Sequence, residues 1–415
     1  MIIKLLLILF ILSSATFGYE LKIQGNTKTQ PEVIKKEIAD IRSNKLSEKV
    51  IAEIKRRVWN LRLFTSVEVR QDAPDKVLID VSERWTLIPI VKLAGGGGSS
   101  YIAVGAYDIN SFGTNTELGA QYENLNGRSA GVMWFRKPQF LADRNLIFGM
   151  DFWKINRVRY LYTRQGDDDG AFTLERDRVN AFVEKKWSSD FFKLGFAIDY
   201  HSDRISEFGL SDDELAQNTL NGFAPNEESI NLWKTLYFNV GRLNYINYLV
   251  DGQQVSLTTS HIDSSSKDKS SGSLKYNFYH LFENRHNFAF QALVSRTNFG
   301  RLQYQNYIGG LSEVRGYLDG QFFDRAFIQT NIEHRFDLFE NRYGVVQGAI
   351  FSDQAKEGKT ISKIAKSSDA IMLSSGFGVR LISPKIFRFV ARLDYAQTHT
   401  RYIDRSVSFG IQQFF

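Results

Sequence analysis

The feature that most constrains the fold is a repeated alternation of apolar and polar residues, which begins after Trp85 and continues to the end of the chain. The alternating stretches are roughly ten residues long, and short turns and longer polar loops separate them in turn, as in transmembrane β-barrels. We predict sixteen strands, at residues 87–95, 101–109, 117–124, 129–136, 145–156, 172–187, 191–201, 230–240, 253–261, 271–282, 287–296, 325–338, 343–353, 370–382, 386–397 and 405–415. The chain is therefore predicted to be mainly β, with residues 85–415 forming a 16-stranded antiparallel transmembrane β-barrel.

The predicted strand at residues 325–338 shows how such a sheet separates water from lipid. Its polar face carries Gln329, Asn331, Glu333, Arg335 and Asp337, and its opposite face carries Ile328, Ile332, Phe336 and Leu338. The 33 Phe and 18 Tyr residues, against only 6 Pro, agree with strands bordered by aromatic girdles. A secreted soluble all-β protein is the alternative.

The predicted connector at residues 241–252 is long on the side where the other connectors are short.

The first residues have the pattern of a secretory signal peptide. Lys4 precedes an unbroken apolar run at residues 5–12, and small residues follow the run. Cleavage after Ala15 or after Gly18 satisfies the small-residue rule, and we assign residues 1–18 to the signal peptide. The run is much shorter than the ~20 apolar residues that a membrane-spanning helix needs. No later segment qualifies, so a membrane location requires a barrel.

Residues 19–84 predict a separate small α+β domain with the order β-α-α-β-β. Thr29 is predicted to cap the first helix in a capping box, with Pro31 in the first turn. Ser47 is predicted to cap the second helix, whose apolar residues recur at three- and four-residue spacing. Two strands joined by a turn follow at residues 67–81, so the domain has one small core.

The chain offers little for enzymatic or metal chemistry. The absence of Cys excludes thiol catalysis, and the six His residues show no metal-ligand spacing. His201, Ser202 and Asp203 are triad residue types, but adjacent residues on one strand cannot be assumed to meet as a triad. The three Asp at residues 167–169 could supply oxygen ligands to Ca²⁺, but we interpret them as a solvated loop rather than a Ca²⁺ site. Because the net charge of +6 is dispersed, we predict no nucleic-acid partner. We also predict no enzyme activity, cofactor or metal site.

A glycine-rich segment at residues 309–320 carries a single Arg and lies between two predicted strands. Its composition predicts a packed loop rather than a linker. Within it, Val314, Arg315, Gly316 and Tyr317 resemble the V-R-G-F/Y tip of the loop that folds into the barrel lumen in BamA- and TamA-like outer-membrane assembly factors. An ordinary Gly-rich hairpin loop is the alternative.

The N-terminal domain carries a second resemblance, to a POTRA domain, the periplasmic module that precedes such barrels. This resemblance rests on Gly25-Asn26 after the first strand and on residues 63–67 before the second. Residues 108–114 resemble the N-x-x-G-x-G turn of these barrels, although Asn115 stands where the motif has its last Gly. The chain is thus similar to the superfamily that contains BamA, TamA and the transporters of two-partner secretion, with room for one POTRA-like domain.

The resemblance implies roles for three groups of residues. Arg315 is expected to pair inside the barrel with Glu333 and Asp353, and residues 351–355 resemble the family's F-x-D-x-G with Ala355 replacing the Gly. The strand edge expected to bind clients comprises Ser66, Val67, Glu68, Val69 and Arg70. The terminal Phe415 resembles the assembly signal of bacterial outer-membrane proteins.

The function that the resemblance implies is assembly of outer-membrane proteins, with the barrel in the outer membrane and the POTRA-like domain in the periplasm. Unfolded client proteins would enter through the POTRA-like domain and insert into the bilayer at the seam between the first and last strands. Periplasmic chaperones or accessory subunits are further expected partners. The alternatives are a pore that secretes a dedicated partner protein and an outer-membrane lipid hydrolase. The small domain serving only to position the barrel is a further alternative.

Overall fold

The computed structural model describes most of the chain between Glu20 and Ile411. The described residues are 20–39, 41, 47–73, 76–187, 190–246, 248–264, 269–283, 286–310, 313–341, 343–367, 371–383, 389–400 and 405–411. The predicted signal peptide and Phe415 lie outside these residues.

The N-terminal part of the described chain forms a three-stranded sheet with two helices. Its elements are β1 (Glu20–Gln24), α1 (Pro31–Ile38), α2 (Glu48–Asn60), β2 (Phe64–Ala73) and β3 (Lys76–Glu83). The central strand β3 runs parallel to β1 and antiparallel to β2. The order of elements is the predicted β-α-α-β-β.

Both helices bury one apolar face in a single core with this sheet. The buried core side chains are Val33, Ile34, Ile38, Ile54, Val58, Leu63, Phe64, Val67, Val69, Val77, Ile79 and Val81. Burial of each large aliphatic side chain contributes about 1.5 to 3 kcal/mol. The compact unit built on this core comprises the described part of Met1–Ile88 together with Tyr107–Leu118 and Arg136–Ile147.

The cap predicted for α1 is wrong, because the N-cap residue is Gln30, which makes no side-chain cap hydrogen bond. Thr29 is buried instead, and its Oγ1 accepts a hydrogen bond from Asn110 Nδ2 at 2.9 Å. A tertiary contact therefore uses the hydroxyl that the local pattern assigned to the helix. Ser47 caps α2 as predicted, accepting a hydrogen bond from the Val50 N–H at 3.4 Å.

Glu83 fastens the segment between β1 and α1 by accepting three hydrogen bonds. Its Oε2 accepts from Thr27 Oγ1 at 2.7 Å and from the Lys28 N–H at 2.8 Å, and its Oε1 accepts from the Thr29 N–H at 2.5 Å. Burial raises the pKa of Glu83, but these hydrogen bonds favour the charged form and outweigh burial, so the net pKa is lowered to about 2.

We expect the N-terminal unit to lose stability in acid through Glu83. Because its folded-state pKa lies below the ordinary value of 4.5, its contribution is complete above that pH and is lost as the pH falls towards 2. Glu83→Gln should reproduce the loss at neutral pH, by about 1 to 3 kcal/mol. Amide hydrogen exchange of residues 20–83 in the full-length protein measures both effects. Glu48→Gln, on the exposed first turn of α2, is the control, and equal exchange in both variants would contradict the assignment.

The remaining strands form a closed barrel of sixteen strands, which confirms the predicted architecture. They are β4 (Leu87–Gly96), β5 (Ser99–Ser111), β6 (Thr116–Leu125), β7 (Arg128–Lys137), β8 (Leu146–Tyr162), β9 (Asp168–Trp187), β10 (Phe192–Ser206), β11 (Glu227–Ile246), β12 (Leu249–Ser264), β13 (Lys269–Leu281), β14 (Asn287–Thr297), β17 (Ala326–Glu340), β18 (Val345–Gly358), β19 (Met372–Ser383), β20 (Phe389–Thr398) and β21 (Arg405–Ile411). Two short strands, β15 (Asn306–Ile308) and β16 (Phe322–Asp324), pair with each other in the loop between β14 and β17. The ring closes between β21 and β4.

The barrel wall buries polar side chains on its inner face and exposes apolar side chains on its outer face. In β10, Phe196, Ile198 and Tyr200 are exposed, whereas the alternating residues Ala197, Asp199 and His201 are buried. This is the alternation typical of a pleated strand in a transmembrane barrel. The packed interior is here called the lumen.

The predicted long connector at residues 241–252 is wrong. β11 and β12 stay paired over most of it, with Gly241 opposite Gln254 and pairing that continues to Ile246 opposite Leu249. The glycines at the two ends of this segment have positive φ, and a Cβ on either would lie within 2.3 Å of a backbone oxygen of the partner strand. Glycine here permits a local distortion inside a continuous hairpin. The alternation of the sequence is interrupted at the distortion, and for that reason it predicted the end of both strands.

Two helices in the barrel connections were not predicted. They are α3 (Asp212–Leu220), between β10 and β11, and α4 (Ile361–Lys366), between β18 and β19. The buried Asn218 ties α3 to β9, because its side chain bonds both the N–H and the C=O of Ala171, at 2.8 and 3.0 Å. No helix among the described residues has both the length and the apolar character needed to cross a membrane.

Candidate functional site

The loop between β14 and β17, residues 298–325 and here called the lumen loop, turns back sharply at its tip. The Gly310 N–H donates to Leu318 O at 3.2 Å across the tip. A Cβ at Gly309 would lie 2.0 Å from Leu318 O, and one at Gly310 would lie 2.2 Å from Tyr317 O. Only glycine allows the two sides of the tip to approach this closely.

Arg315 projects from the tip to carboxylates on two neighbouring strands. Its Nε and Nη2 donate to the two carboxylate oxygens of Asp353 in β18, at 2.7 and 2.9 Å. Its Nη1 donates to Glu333 Oε2 in β17 at 2.8 Å, and its guanidinium lies 3.4 Å from the centre of the Phe351 ring. All three charged side chains are fully buried. The structure thus brings together the three residues that the resemblance expected to meet, in the forked geometry that a guanidinium provides.

Further charged side chains surround this contact. Glu333 also accepts hydrogen bonds from Arg335 at 2.7 Å and from Arg380 at 3.2 Å. Asp394 in β20 accepts from Arg380 at 2.6 Å and from Arg392 at 2.7 Å. The resulting buried ion cluster comprises Arg315, Arg335, Arg380, Arg392, Glu333, Asp353 and Asp394. Because the loss of one member leaves a buried charge short of partners, the cluster is expected to behave as a unit.

Sequence reasoning identified Glu333 and Asp353 but missed Arg380, Arg392 and Asp394. The missed residues lie on the inner faces of β19 and β20, where Arg380 and Arg392 stand opposite each other. One residue in the sequence could have indicated the position of Asp394, namely Gly378, which stands opposite it. A Cβ at Gly378 would lie 2.1 Å from Asp394 Oδ1, so the glycine makes room for the carboxylate.

The other motif residues pack around Arg315. Val314 and Tyr317 are buried in an apolar cluster, and Tyr317 Oη donates to Leu373 O at 3.1 Å. Gly316 has a φ of +102°, and a Cβ there would lie 3.0 Å from Thr398 Cγ2. The tip therefore fits the inner wall with apolar and polar contacts in addition to the ion cluster.

The turn between β4 and β5 contacts the other side of the tip. Gly97 O accepts a hydrogen bond from the Asp319 N–H at 2.8 Å, and a Cβ at Gly97 would lie 2.6 Å from Tyr317 O. Gly97 thus allows the lumen loop to approach the turn that follows the first barrel strand.

The ring closes at the seam between β21 and β4. Among the described residues the seam has two pairs, Phe409 opposite Gly95 and Gly410 opposite Ala94. On its other side, β21 shares seven pairs with β20. Within the described part of β21, the junction with β4 therefore has fewer pairs than the junction with β20.

The strand predicted to bind clients lies at an edge of the N-terminal sheet. β2 pairs with β3, and no other strand among the described residues pairs with it. Along the predicted edge Val67 and Val69 are buried, whereas Ser66, Glu68 and Arg70 are exposed. The apolar side chains thus serve the core, and the strand lies at an edge of the sheet.

The triad residue types on β10 do not assemble into a hydrolytic site. His201 and Asp203 are buried on the inner face, and Ser202 between them points to the opposite face. His201 Nε2 lies 3.1 Å from Asp199 Oδ1 instead. In the part of the chain that the structure describes, no group of three or more His, Asp or Glu side chains is placed to hold a metal ion.

Comparison with known proteins relates the chain to others through its fold. No family model and no curated protein matches the sequence. BamA from Haemophilus ducreyi lacking POTRA domains 1–3 has a TM-score of 0.70 at 14% identity, over 95% of this chain and 84% of that chain. CdiB from Acinetobacter baumannii has a TM-score of 0.68 at 13% identity, over 95% of this chain and 73% of that chain. CdiB from Escherichia coli has a TM-score of 0.64 at 10% identity, over 96% of this chain and 76% of that chain. The chain therefore has the barrel fold that BamA and CdiB share.

Proposed function

We propose that this chain is an outer-membrane barrel that handles client proteins and inserts them at the seam between β21 and β4. The observation that carries the proposal is that the ring closes between its last and first strands, which share two pairs among the described residues. Unpaired backbone N–H and C=O groups at a strand edge bind an added strand, so a client strand can pair there without covalent chemistry. The exposed apolar outer face fits a bilayer.

The lumen loop and the N-terminal unit have separate roles in this proposal. Through Arg315, the buried ion cluster holds the loop tip against the strands that follow it. The N-terminal unit lies in the periplasm and presents β2 to extended clients before they reach the barrel. Periplasmic chaperones or accessory subunits that deliver clients are compatible partners.

We expect proline at Val67 or Val69 to weaken client capture, because proline removes a ladder donor from the β2 edge. A photo-crosslinker at the exposed Glu68 of the full-length protein measures capture of extended apolar peptides. Lys22→Pro in β1, the opposite edge of the same sheet, is the matched control. Unchanged crosslinking in both β2 variants, with the unit still folded, would show that clients bind elsewhere.

A pore that secretes one dedicated protein is the second candidate function. The observation that favours it is the loop lodged in the lumen, since a movable loop is a means of closing a passage. Depletion followed by a census of outer-membrane proteins separates the candidates. Broad loss supports insertion, and loss of one exported protein with the outer membrane intact supports secretion. An unchanged census together with unchanged export would overturn both.

A further inference from the structure

The lumen loop is held at a second place by Tyr304. The Tyr304 hydroxyl donates to the carboxylate of Asp203 in β10 and accepts a hydrogen bond from Asn231 Nδ2 in β11 at 2.6 Å. Arg176 in β9 donates to both oxygens of the same carboxylate, from Nε at 2.6 Å and from Nη2 at 2.8 Å. Tyr304, Asp203 and Asn231 are buried. A tyrosine hydroxyl shared between a buried carboxylate and an amide is a specific contact, because each partner is hydrogen-bonded away from water.

Packing fixes the ring that carries this hydroxyl. The Phe299 ring stacks on Tyr304 with 4.2 Å between ring centroids and 15° between planes. The Trp233 ring on the barrel wall lies 5.8 Å from the Tyr304 ring, measured between centroids. The Arg176 guanidinium lies 5.4 Å from the centre of the Tyr304 ring. Ile262 completes the cluster from β12 and is fully buried. The first part of the lumen loop is thus fastened to β9, β10, β11 and β12.

The two fastenings lie on separate parts of the barrel wall. In the closed order of sixteen strands, β17 and β18 are four to six positions away from β10 and β11. Tyr304 bonds the wall at β10 and β11, whereas Arg315 bonds β17 and β18 and lies 3.7 Å from Asp394 in β20. The lumen loop is therefore attached to two separate parts of the inner wall.

We propose that Tyr304, with Arg176 and Asp203, is a second anchor of the lumen loop, and that the lumen conducts ions freely only when both anchors have been released. A segment fixed to two separate parts of the wall cannot swing aside when one end is freed, because the other end still holds it inside the barrel. The inference goes beyond the proposed function, since it concerns the barrel without a client.

Single-channel recording in planar bilayers tests the second anchor. Tyr304→Phe removes the hydroxyl and keeps the ring, and it is measured alone and combined with Arg315→Lys, which weakens the latch. A hydrogen bond to a charged group is worth roughly a factor of ten in an equilibrium. We therefore expect openings to be about ten-fold more frequent in the double variant than in Arg315→Lys. Tyr304→Phe alone should stay close to wild type, because the latch still holds the tip.

Tyr307→Phe is the matched control, since its hydroxyl donates within the loop itself, to Leu302 O at 3.0 Å. It should change neither background, and a heat-dependent gel shift confirms that each variant is a folded barrel. Two results overturn the proposal: equal behaviour of Tyr304→Phe and Tyr307→Phe in the Arg315→Lys background, or full opening by Tyr304→Phe alone. Because no client is present in the recording, either result leaves the proposed insertion function standing.

Discussion

Arg315→Ala is expected to lower the stability of the barrel by about 3 to 5 kcal/mol, less where lumen water reaches the site, and to impair function. The substitution leaves Asp353 without its forked partner and removes one of the three guanidinium groups that bond Glu333. Buried carboxylates without partners are costly, and the loop tip loses its ionic attachment to the wall. The temperature at which the unboiled gel band converts to the boiled position measures stability, and protease cleavage within residues 309–320 measures loop release.

Two further variants separate the latch from a general effect of charge. Arg315→Lys keeps the charge but not the planar fork that serves two strands, so an intermediate loss is expected. Arg301→Ala changes an Arg in the same loop whose Nε lies 3.8 Å from Glu227, and exposed pairs of this kind contribute about 0 to 1 kcal/mol. If the Arg315→Ala and Arg301→Ala variants have equal melting temperatures and their lumen loops are equally resistant to protease, Arg315 is not a latch.

A disulfide across the seam is expected to abolish client insertion and to leave the barrel folded. Gly95 and Phe409 are opposite residues of β4 and β21, and cross-strand Cα distances of about 4.5 to 5.5 Å suit a disulfide. The three heavy atoms nearest to a Cβ at Gly95 all belong to the Phe409 ring, which the paired substitution removes. The chain contains no Cys, so Gly95→Cys with Phe409→Cys forms one defined bond. Activity should return when a reductant is added.

The matched control places the same bond on the other side of β21. Leu393→Cys with Phe409→Cys links β20 to β21, which are paired over seven residues and are not expected to separate. Client insertion into liposomes, with and without reductant, is the measurement for both pairs. Full activity of the oxidised seam pair would exclude insertion at this seam, and equal inhibition by both pairs would attribute the effect to the loss of Phe409.

The strands were predictable because period-two alternation is written into neighbouring residues and needs no knowledge of distant contacts. The same locality explains the errors. The Thr29 hydroxyl bonds Asn110, a partner far along the chain, and Gly241 and Gly252 break the alternation without breaking the pairing. In both cases a tertiary contact decides what a local pattern leaves open.

The candidate site divides in the same way. The motif at residues 314–317 directed attention to Arg315, Glu333 and Asp353, but no resemblance pointed to Asp394. Its role depends on strand register, which places Gly378 beside it and leaves space for the carboxylate. Register follows from how a whole sheet closes, so a single sequence does not reveal it.

The positions of the latch partners along the chain bear on the order of folding. Arg315 bonds Glu333 and Asp353, only 18 and 38 residues away, on the first two strands that follow the loop. Asp394 and the seam strand β21 come much later. Contacts of short sequence separation form with a small entropic cost of loop closure. We therefore expect the hairpin of β17 and β18 to capture the tip before the ring is complete, so that the loop is enclosed as the barrel closes and need not thread into a finished cylinder.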